Sequence, residues 1–244
     1  MAESLLIKEI YFSIQGESSW AGLPCAFVRL TGCDLRCSYC DSVYAFRGGE
    51  RMEVGAVIER IKELAGEPQG SAAGAPLPLV EITGGEPLLQ TPVHRLMNEL
   101  CDAGFKVLIE TSGAHDIRSV HPEVSRILDL KCPASGESGR ILWDNLEHLN
   151  SSDEVKFVIT SHEDYVWAKG VLARYKLAER CPVLFSSVAA LAPGQQSPVL
   201  KPVPSYHQPM TRQQLVEQII QDRLSVRFQL QMHKFIWPPE QTGV

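Results

Sequence analysis

Apolar residues along the 244-residue chain fall in short runs separated by amphipathic stretches, the alternation of strand and helix expected of βαβ units. Seven runs read as strands: 25–30 (CAFVRL), 77–83 (LPLVEIT), 106–111 (KVLIET), 126–131 (RILDLK), 154–160 (EVKFVIT), 182–188 (PVLFSSV) and 226–230 (VRFQL). Most are nearly continuous in hydrophobicity, as parallel strands covered on both faces require. Helical spacing predicts helices over 54–64, with Val57, Ile58, Ile61 and Leu64 on one face, and over 92–103, with Thr91 as the cap. Ser161 is placed to cap a third helix running toward Arg180, and Thr211 with Gln214 forms a capping box ahead of Leu215, Ile219 and Ile220. The Gly- and Pro-rich stretches 66–78 and 192–209 read as flexible insertions within a single domain spanning 1–244. About six βα units are too few for a closed eight-fold barrel, so the expected fold is α/β, an open partial (β/α) barrel. Ligands of such folds gather at the carboxyl ends of the strands.

Charge and composition narrow the partners. Lys and Arg number 23 against 29 Asp and Glu, a formal charge of −6, which argues against a nucleic-acid surface spread over the molecule. The longest uncharged run, 181–200, is interrupted by three prolines and several Ser and Gln, unlike a membrane helix. The amino terminus lacks the basic start and unbroken apolar stretch of a signal peptide, so a soluble cytoplasmic protein is expected.

Seven cysteines without an export signal point to reduced thiols and metal chemistry. Cys33, Cys37 and Cys40 fall in one loop as C-x3-C-x2-C, whereas Cys25, Cys101, Cys132 and Cys181 are scattered and predict no site. Three soft thiolates around one point suit zinc with a distant fourth ligand or an iron–sulfur cluster. A four-iron cluster held by three thiolates leaves one iron open to a reactant. Reduced structural thiols are the bland alternative.

The cysteine spacing after a strand, with Tyr39 inside the last pair, resembles the cluster loop of the radical S-adenosylmethionine superfamily, and strand LPLVEIT running into Gly84-Gly85-Glu86-Pro87 is similar to its GGE element. The segments IYFSIQGESSWAG and PCAFVRLTGCDLRCSYCDS, with ITGGEP, IETSG, EVKFVIT and LQMHK, extend across the chain a resemblance to the 7-carboxy-7-deazaguanine synthase family. The resemblance implies a 4Fe-4S cluster on Cys33, Cys37 and Cys40, recycled S-adenosylmethionine and Mg2+ as cofactors. It implies radical ring contraction of 6-carboxy-5,6,7,8-tetrahydropterin with loss of ammonia, in queuosine and 7-deazapurine biosynthesis. An electron donor such as flavodoxin and a homodimer are the family's partners; no nucleic acid or membrane is implied.

By the same resemblance Tyr39, Cys40, Asp41, Gly85, Glu86, Ser112, Asp129, Leu130 and Lys131 are expected to bind S-adenosylmethionine, Glu86 offering a carboxylate to its ammonium group. Ile14, Gln15, Gly16, Glu17, Arg29, Thr83, Glu110 and His233 are expected to bind substrate. Arg29 suits a substrate carboxylate, with a strand-edge salt bridge as its ordinary alternative. A buried Glu110 needs partners, and a Lys or Arg inside the fold would serve equally. Ser42 is expected on Mg2+ through its hydroxyl with Asp41 behind it, unless the two merely cap the following turn.

The chain departs from the family pattern at Ser18, where glycine is usual, at Asp129-Leu130 in place of Ser-Pro, at Ser186-Ser187 in place of Gln-Pro, and in continuing past Pro239. Two other functions compete. A glycyl-radical-activating enzyme carries the same cysteine loop but needs a groove for a polypeptide, not IQGE, Arg29 and Glu110. A zinc- or redox-sensing binding protein leaves GGEP and the polar strand ends without a task.

Overall fold

The computed structural model describes residues 3–68, 78–238 and 241–244. Nine strands form one sheet in the order β3-β1-β2-β4-β5-β6-β7-β8-β9, comprising β1 (Ser4–Ile14), β2 (Pro24–Leu30), β3 (Glu50–Glu53), β4 (Leu79–Gly84), β5 (Lys106–Thr111), β6 (Ser125–Asp129), β7 (Glu154–Ile159), β8 (Val183–Ser187) and β9 (Arg227–Gln229). From β2 to β9 every neighbouring pair is parallel, whereas β1 pairs antiparallel with both β2 and β3. The ends of the sheet do not meet, and the fold is the open partial barrel that the sequence predicts. All seven predicted strands are present; β1 and β3 were not among them.

Four of the six crossovers between parallel strands carry an α-helix: α1 (Val54–Ala65), α2 (Val93–Asp102), α3 (His162–Tyr175) and α4 (Arg212–Gln221). The β5–β6 connection is irregular and the β6–β7 connection holds only 3-10 turns, so two expected βα units lack their helix. Ser161 accepts a hydrogen bond from Asp164 N, and Thr211 and Gln214 form the capping box. Two details differ. Pro92, not Thr91, occupies the cap of α2 and makes no side-chain bond, and α3 stops at Tyr175 because Lys176 turns left-handed with φ 50°. Segment 192–209 is irregular, yet Lys201 ties it to the cysteine loop through its N–H to Arg36 O. The expected insertion at 66–78 lies largely outside the described residues.

Residue parity decides where the chemistry sits. Ala26, Val28, Val80, Ile82, Val107, Ile109, Leu128, Val155, Phe157 and Phe185 turn outward and make the main core beneath the helices. Each of the Val, Leu, Ile and Phe side chains among them, removed from water, contributes about 1.5–3 kcal/mol. The opposite parity faces the barrel interior, where Cys25, Phe27, Leu79, Leu108 and Ile127 close the floor. Above that floor the same inward rows continue as Arg29, Glu81, Thr83, Glu110, Asp129, Lys156 and Ser186, all facing one cavity.

Candidate active site

The cavity opens at the carboxyl ends of the parallel strands and is walled by the cysteine loop, the β1–β2 turn and α5 (His233–Ile236). It brings together Ile14, Gln15, Gly16, Glu17, Arg29, Cys33, Cys37, Tyr39, Cys40, Asp41, Ser42, Thr83, Gly85, Glu110, Ser112, Asp129, Lys131 and His233. Glu86 and Leu130 are the two expected residues that do not line it.

The cysteine loop is held from both sides. Ser38 donates through N to Ser135 O at 3.0 Å and through Oγ to Ala134 O at 2.7 Å, while Arg36 N donates to Glu137 Oε1 at 2.6 Å. On the other side Glu86 N donates to Gly32 O at 2.8 Å. Gly85 is required there: a Cβ would collide with Gly32 O and stand 2.8 Å from Cys33 Cβ. Burial raises all three thiols, Cys37 to about 11 and Cys40 to about 12, so metal binding must displace their protons. Three thiolates from one loop, all lining the cavity, are a donor set that suits a four-iron cluster with one iron left open to a reactant.

Of the four scattered cysteines, Cys101 meets other donor groups: its sulfur and ligand atoms of His121 and Glu123 lie within 4.8 Å of one another, which cysteine spacing alone did not reveal.

A second group of charges lies across the cavity. Lys156 Nζ bridges two carboxylates, Glu110 Oε1 at 2.6 Å and Glu17 Oε2. Burial would raise Glu110, but the Lys156 ammonium outweighs it, with help from Lys131 and Arg29, and holds the carboxyl below its usual range. Glu110 Oε2 also faces Thr83 Oγ1 at 3.4 Å. The internal lysine considered as a partner for Glu110 is therefore present. Arg29 Nε donates to Glu9 Oε1 at 2.8 Å and Nη2 to Tyr11 OH at 3.1 Å, and Glu9 is its cross-strand partner on β1. Nη1 makes no hydrogen bond among the described residues, so a strand-edge ion pair and a cavity-facing cation coexist in one side chain.

The β1–β2 turn is shaped by its own bonds. Gln15 is buried; its Oε1 accepts from Glu17 N at 3.0 Å and its Nε2 donates to Glu81. The amide expected to read substrate is thus engaged with protein groups on both sides. Ser18 takes the left-handed conformation, φ 62°, that glycine would occupy, and Gln229 Nε2 donates to its carbonyl at 2.9 Å. Met232 N donates to Gly16 O at 2.9 Å, seating the His233 ring against Gly16, where any Cβ would collide with Nδ1.

Asp41 and Ser42 hold each other, Ser42 Oγ donating to Asp41 Oδ1 at 3.0 Å. Ser42 precedes the 3-10 turn Val43–Phe46 without a side-chain cap bond. Burial opposes the Asp41 charge, but Lys234, Ser42 and Gln231 hold the carboxyl well below the usual range. Lys131 Nζ contacts Asp129 Oδ2 at 2.6 Å, and Asp129 Oδ1 is buried with no partner among the described residues. The Tyr39 hydroxyl is buried in the same way.

Glu86 is fully buried and accepts from Leu88 N, Thr111 Oγ1, Ser112 N and Ser112 Oγ at 2.6–3.1 Å. In this structure the carboxylate expected to meet an ammonium group is taken up by protein donors and does not line the cavity, and the Ser112 hydroxyl is engaged with it. Leu130 points into the core against Gly113. Glu81, Lys156, Ser186, Ser187, Gln231 and Lys234 enter the cavity wall without having been expected there. The signal for the first two was a lone charge at inward parity in an apolar strand.

Residues 27–129 match the Radical SAM superfamily. The 7-carboxy-7-deazaguanine synthases of Koribacter versatilis and Chlorobaculum tepidum are 43% and 41% identical to the chain, each over 98% of its length and over 99% and 97% of their own. Among solved structures, QueE from Escherichia coli is similar with a TM-score of 0.67 at 22% identity, covering 94% of this chain and 95% of that one. Streptococcus suis SuiB bound to S-adenosylmethionine is similar with a TM-score of 0.51 at 14% identity, covering 82% of this chain and 45% of that one. At such identities the structural likeness shows the fold alone.

Proposed function

The chain belongs to the 7-carboxy-7-deazaguanine synthase family of the radical SAM superfamily, and on that premise we propose how its residues divide the work. The reaction contracts 6-carboxy-5,6,7,8-tetrahydropterin to 7-carboxy-7-deazaguanine with loss of ammonia, a carbon–nitrogen lyase chemistry. When bound, the cluster and S-adenosylmethionine supply the carbon-centred radical that abstracts hydrogen.

Cys33, Cys37 and Cys40 hold the cluster, and Tyr39, Gly85 and the Asp129–Lys131 pair line the space for S-adenosylmethionine beside it. Arg29 offers its unengaged edge to the substrate carboxylate, with Glu9 and Tyr11 fixing the guanidinium plane. Lys156 keeps Glu110 ionised and pairs with Glu17, and these two carboxyl groups accept from the heterocycle's N–H groups, Glu110 also being placed to take up a proton during the loss of ammonia. His233 covers the turn that presents Gly16 and Glu17. Ser42 is the protein ligand for Mg2+, held by Asp41. A homodimer, a flavodoxin-type electron donor and a cytoplasmic location complete the reading. Among the described residues no helix is long and apolar enough to cross a membrane.

The observation that carries this reading is the joint placement, in one cavity, of the cysteine loop, a fixed guanidinium and ammonium-bridged carboxylates. A small anionic heterocycle requires that set and a polypeptide glycine does not. The ratio of product formed to S-adenosylmethionine consumed tests it. Many turnovers per S-adenosylmethionine agree with a recycled cofactor; stoichiometric consumption, or cleavage that awaits a partner polypeptide, contradicts the reading.

A further inference from the structure

Of the carboxyl groups that line the cavity, those of Glu17, Glu81 and Glu110 are grouped around a single ammonium, that of Lys156. Lys156 takes Glu17 and Glu110; Glu81 has no cation partner among the described residues. It lies on the inward row of β4 between Leu79 and Thr83, 5% exposed, and one oxygen accepts from Gln15 Nε2. Its other oxygen makes no hydrogen bond among the described residues and is not sealed off as a buried orphan. A carboxyl so placed is costly to ionise until donors reach it.

We propose that Glu81 is a specificity-determining residue whose free carboxyl oxygen accepts the donor edge of the substrate's heterocycle, the adjacent ring N–H and exocyclic amino group of an aminopyrimidinone. This rests on the substrate class proposed above. Gln15 is then a positioning residue, clamped between Glu17 N and Glu81 so that the acid has one orientation. The groups facing Glu81 are Tyr11 from β1, Glu17 from the β1–β2 turn, Cys25 and Arg29 from β2, Glu110 from β5 and Lys156 from β7. Burial, then Glu110 and Glu17, push its carboxyl up to about 8, while Lys156 and Gln15 oppose the rise. Without a donor edge against it, the Glu81 carboxyl therefore favours its neutral form over a wider pH range than an ordinary carboxylic acid. A donor–donor edge favours the ionised form, so binding sends the Glu81 proton to solvent while the substrate keeps both of its own. Nothing is oxidised or reduced in that exchange.

The test is calorimetric titration of the anaerobic, cluster-loaded protein with 6-carboxy-5,6,7,8-tetrahydropterin in two buffers of different ionisation enthalpy. Well below pH 8 the wild type should release close to one proton per substrate, and affinity should rise toward about tenfold per pH unit until the carboxyl is ionised. Glu81→Gln preserves shape and the contact with Gln15; it should abolish the proton release, flatten the pH profile and lower affinity about tenfold or more above pH 8. A tetrahydropterin lacking the 2-amino group, tested on the wild type, should lose affinity without any variant having to fold. Equal affinity and equal proton release in wild type and Glu81→Gln, or full affinity for the deaminated analogue, overturns the proposal. If the wild type neither binds the carboxypterin nor converts it, the substrate reading itself fails; if Glu81→Gln behaves as wild type while product still forms, only the role of Glu81 fails.

Discussion

Replacing Lys156 with methionine removes the ammonium shared by Glu17 and Glu110 while keeping most of the buried methylene stem. The Lys156 side chain is 6% exposed, and those of its partners are 17% and 27%. Breaking a buried pair by deleting one partner costs about 3–5 kcal/mol, and the partial exposure of both carboxylates sets the expectation near the lower end, about 3 kcal/mol. The pH dependence follows from sign. In the wild type Glu110 titrates below its usual range, so its contribution is present above the unfolded pKa and is lost as pH falls. Without Lys156, burial is unopposed by that ammonium and the folded carboxyl titrates higher; its penalty is then largest at high pH and fades as it protonates. Anaerobic urea unfolding of the cluster-loaded proteins should show the full loss near pH 8 and a smaller one near pH 5.5, and adding Glu110→Gln should recover part of it. A loss below about 1 kcal/mol near pH 8, the range of an exposed pair, or the same loss at both pH values, would refute the reasoning.

Gly85→Ala drives a methyl group into Gly32 O and Cys33 Cβ, so iron content per chain should fall sharply while far-ultraviolet dichroism is retained; full cluster occupancy would contradict the packing. Arg29→Ala should weaken carboxypterin binding by about 2–5 kcal/mol, and Arg29→Lys should not restore it because the ammonium lacks the guanidinium fork; titration of the cluster-loaded protein reads both. Alanine at Cys33, Cys37 or Cys40 should abolish the iron–sulfur absorbance and all turnover, and activity retained in any one of them counts against the cluster assignment.

The parallel strands were legible because each is an apolar run of strand length bounded by turn residues, and Lys106–Thr111 matched the predicted limits residue for residue. Edge strand β3 was not: Glu50–Glu53 is polar and largely exposed, with no periodic signal. Missing β1 had a chemical consequence, since antiparallel pairing with β2 sets Glu9 opposite Arg29 and supplies the ion pair that orients the guanidinium. Reading most strands as nearly continuous apolar runs also left Glu81 and Lys156 out of the expected site. Val80, Ile82, Val155 and Phe157 pack under the helices, whereas Glu81 and Lys156 between them point inward, so the charges that interrupt each run mark the cavity. Glu86 shows the converse: the GGEP motif located the turn, but only the folded neighbours Thr111 and Ser112 reveal that its carboxylate is already fully hydrogen-bonded.

The central claim is that this cavity contracts a carboxypterin ring. The direct measurement is an anaerobic incubation of reconstituted protein with S-adenosylmethionine, reductant, Mg2+ and 6-carboxy-5,6,7,8-tetrahydropterin, with 7-carboxy-7-deazaguanine followed by mass spectrometry. The account predicts product over many turnovers from this chain alone. A protein that assembles its cluster and cleaves S-adenosylmethionine but yields no deazaguanine would contradict it.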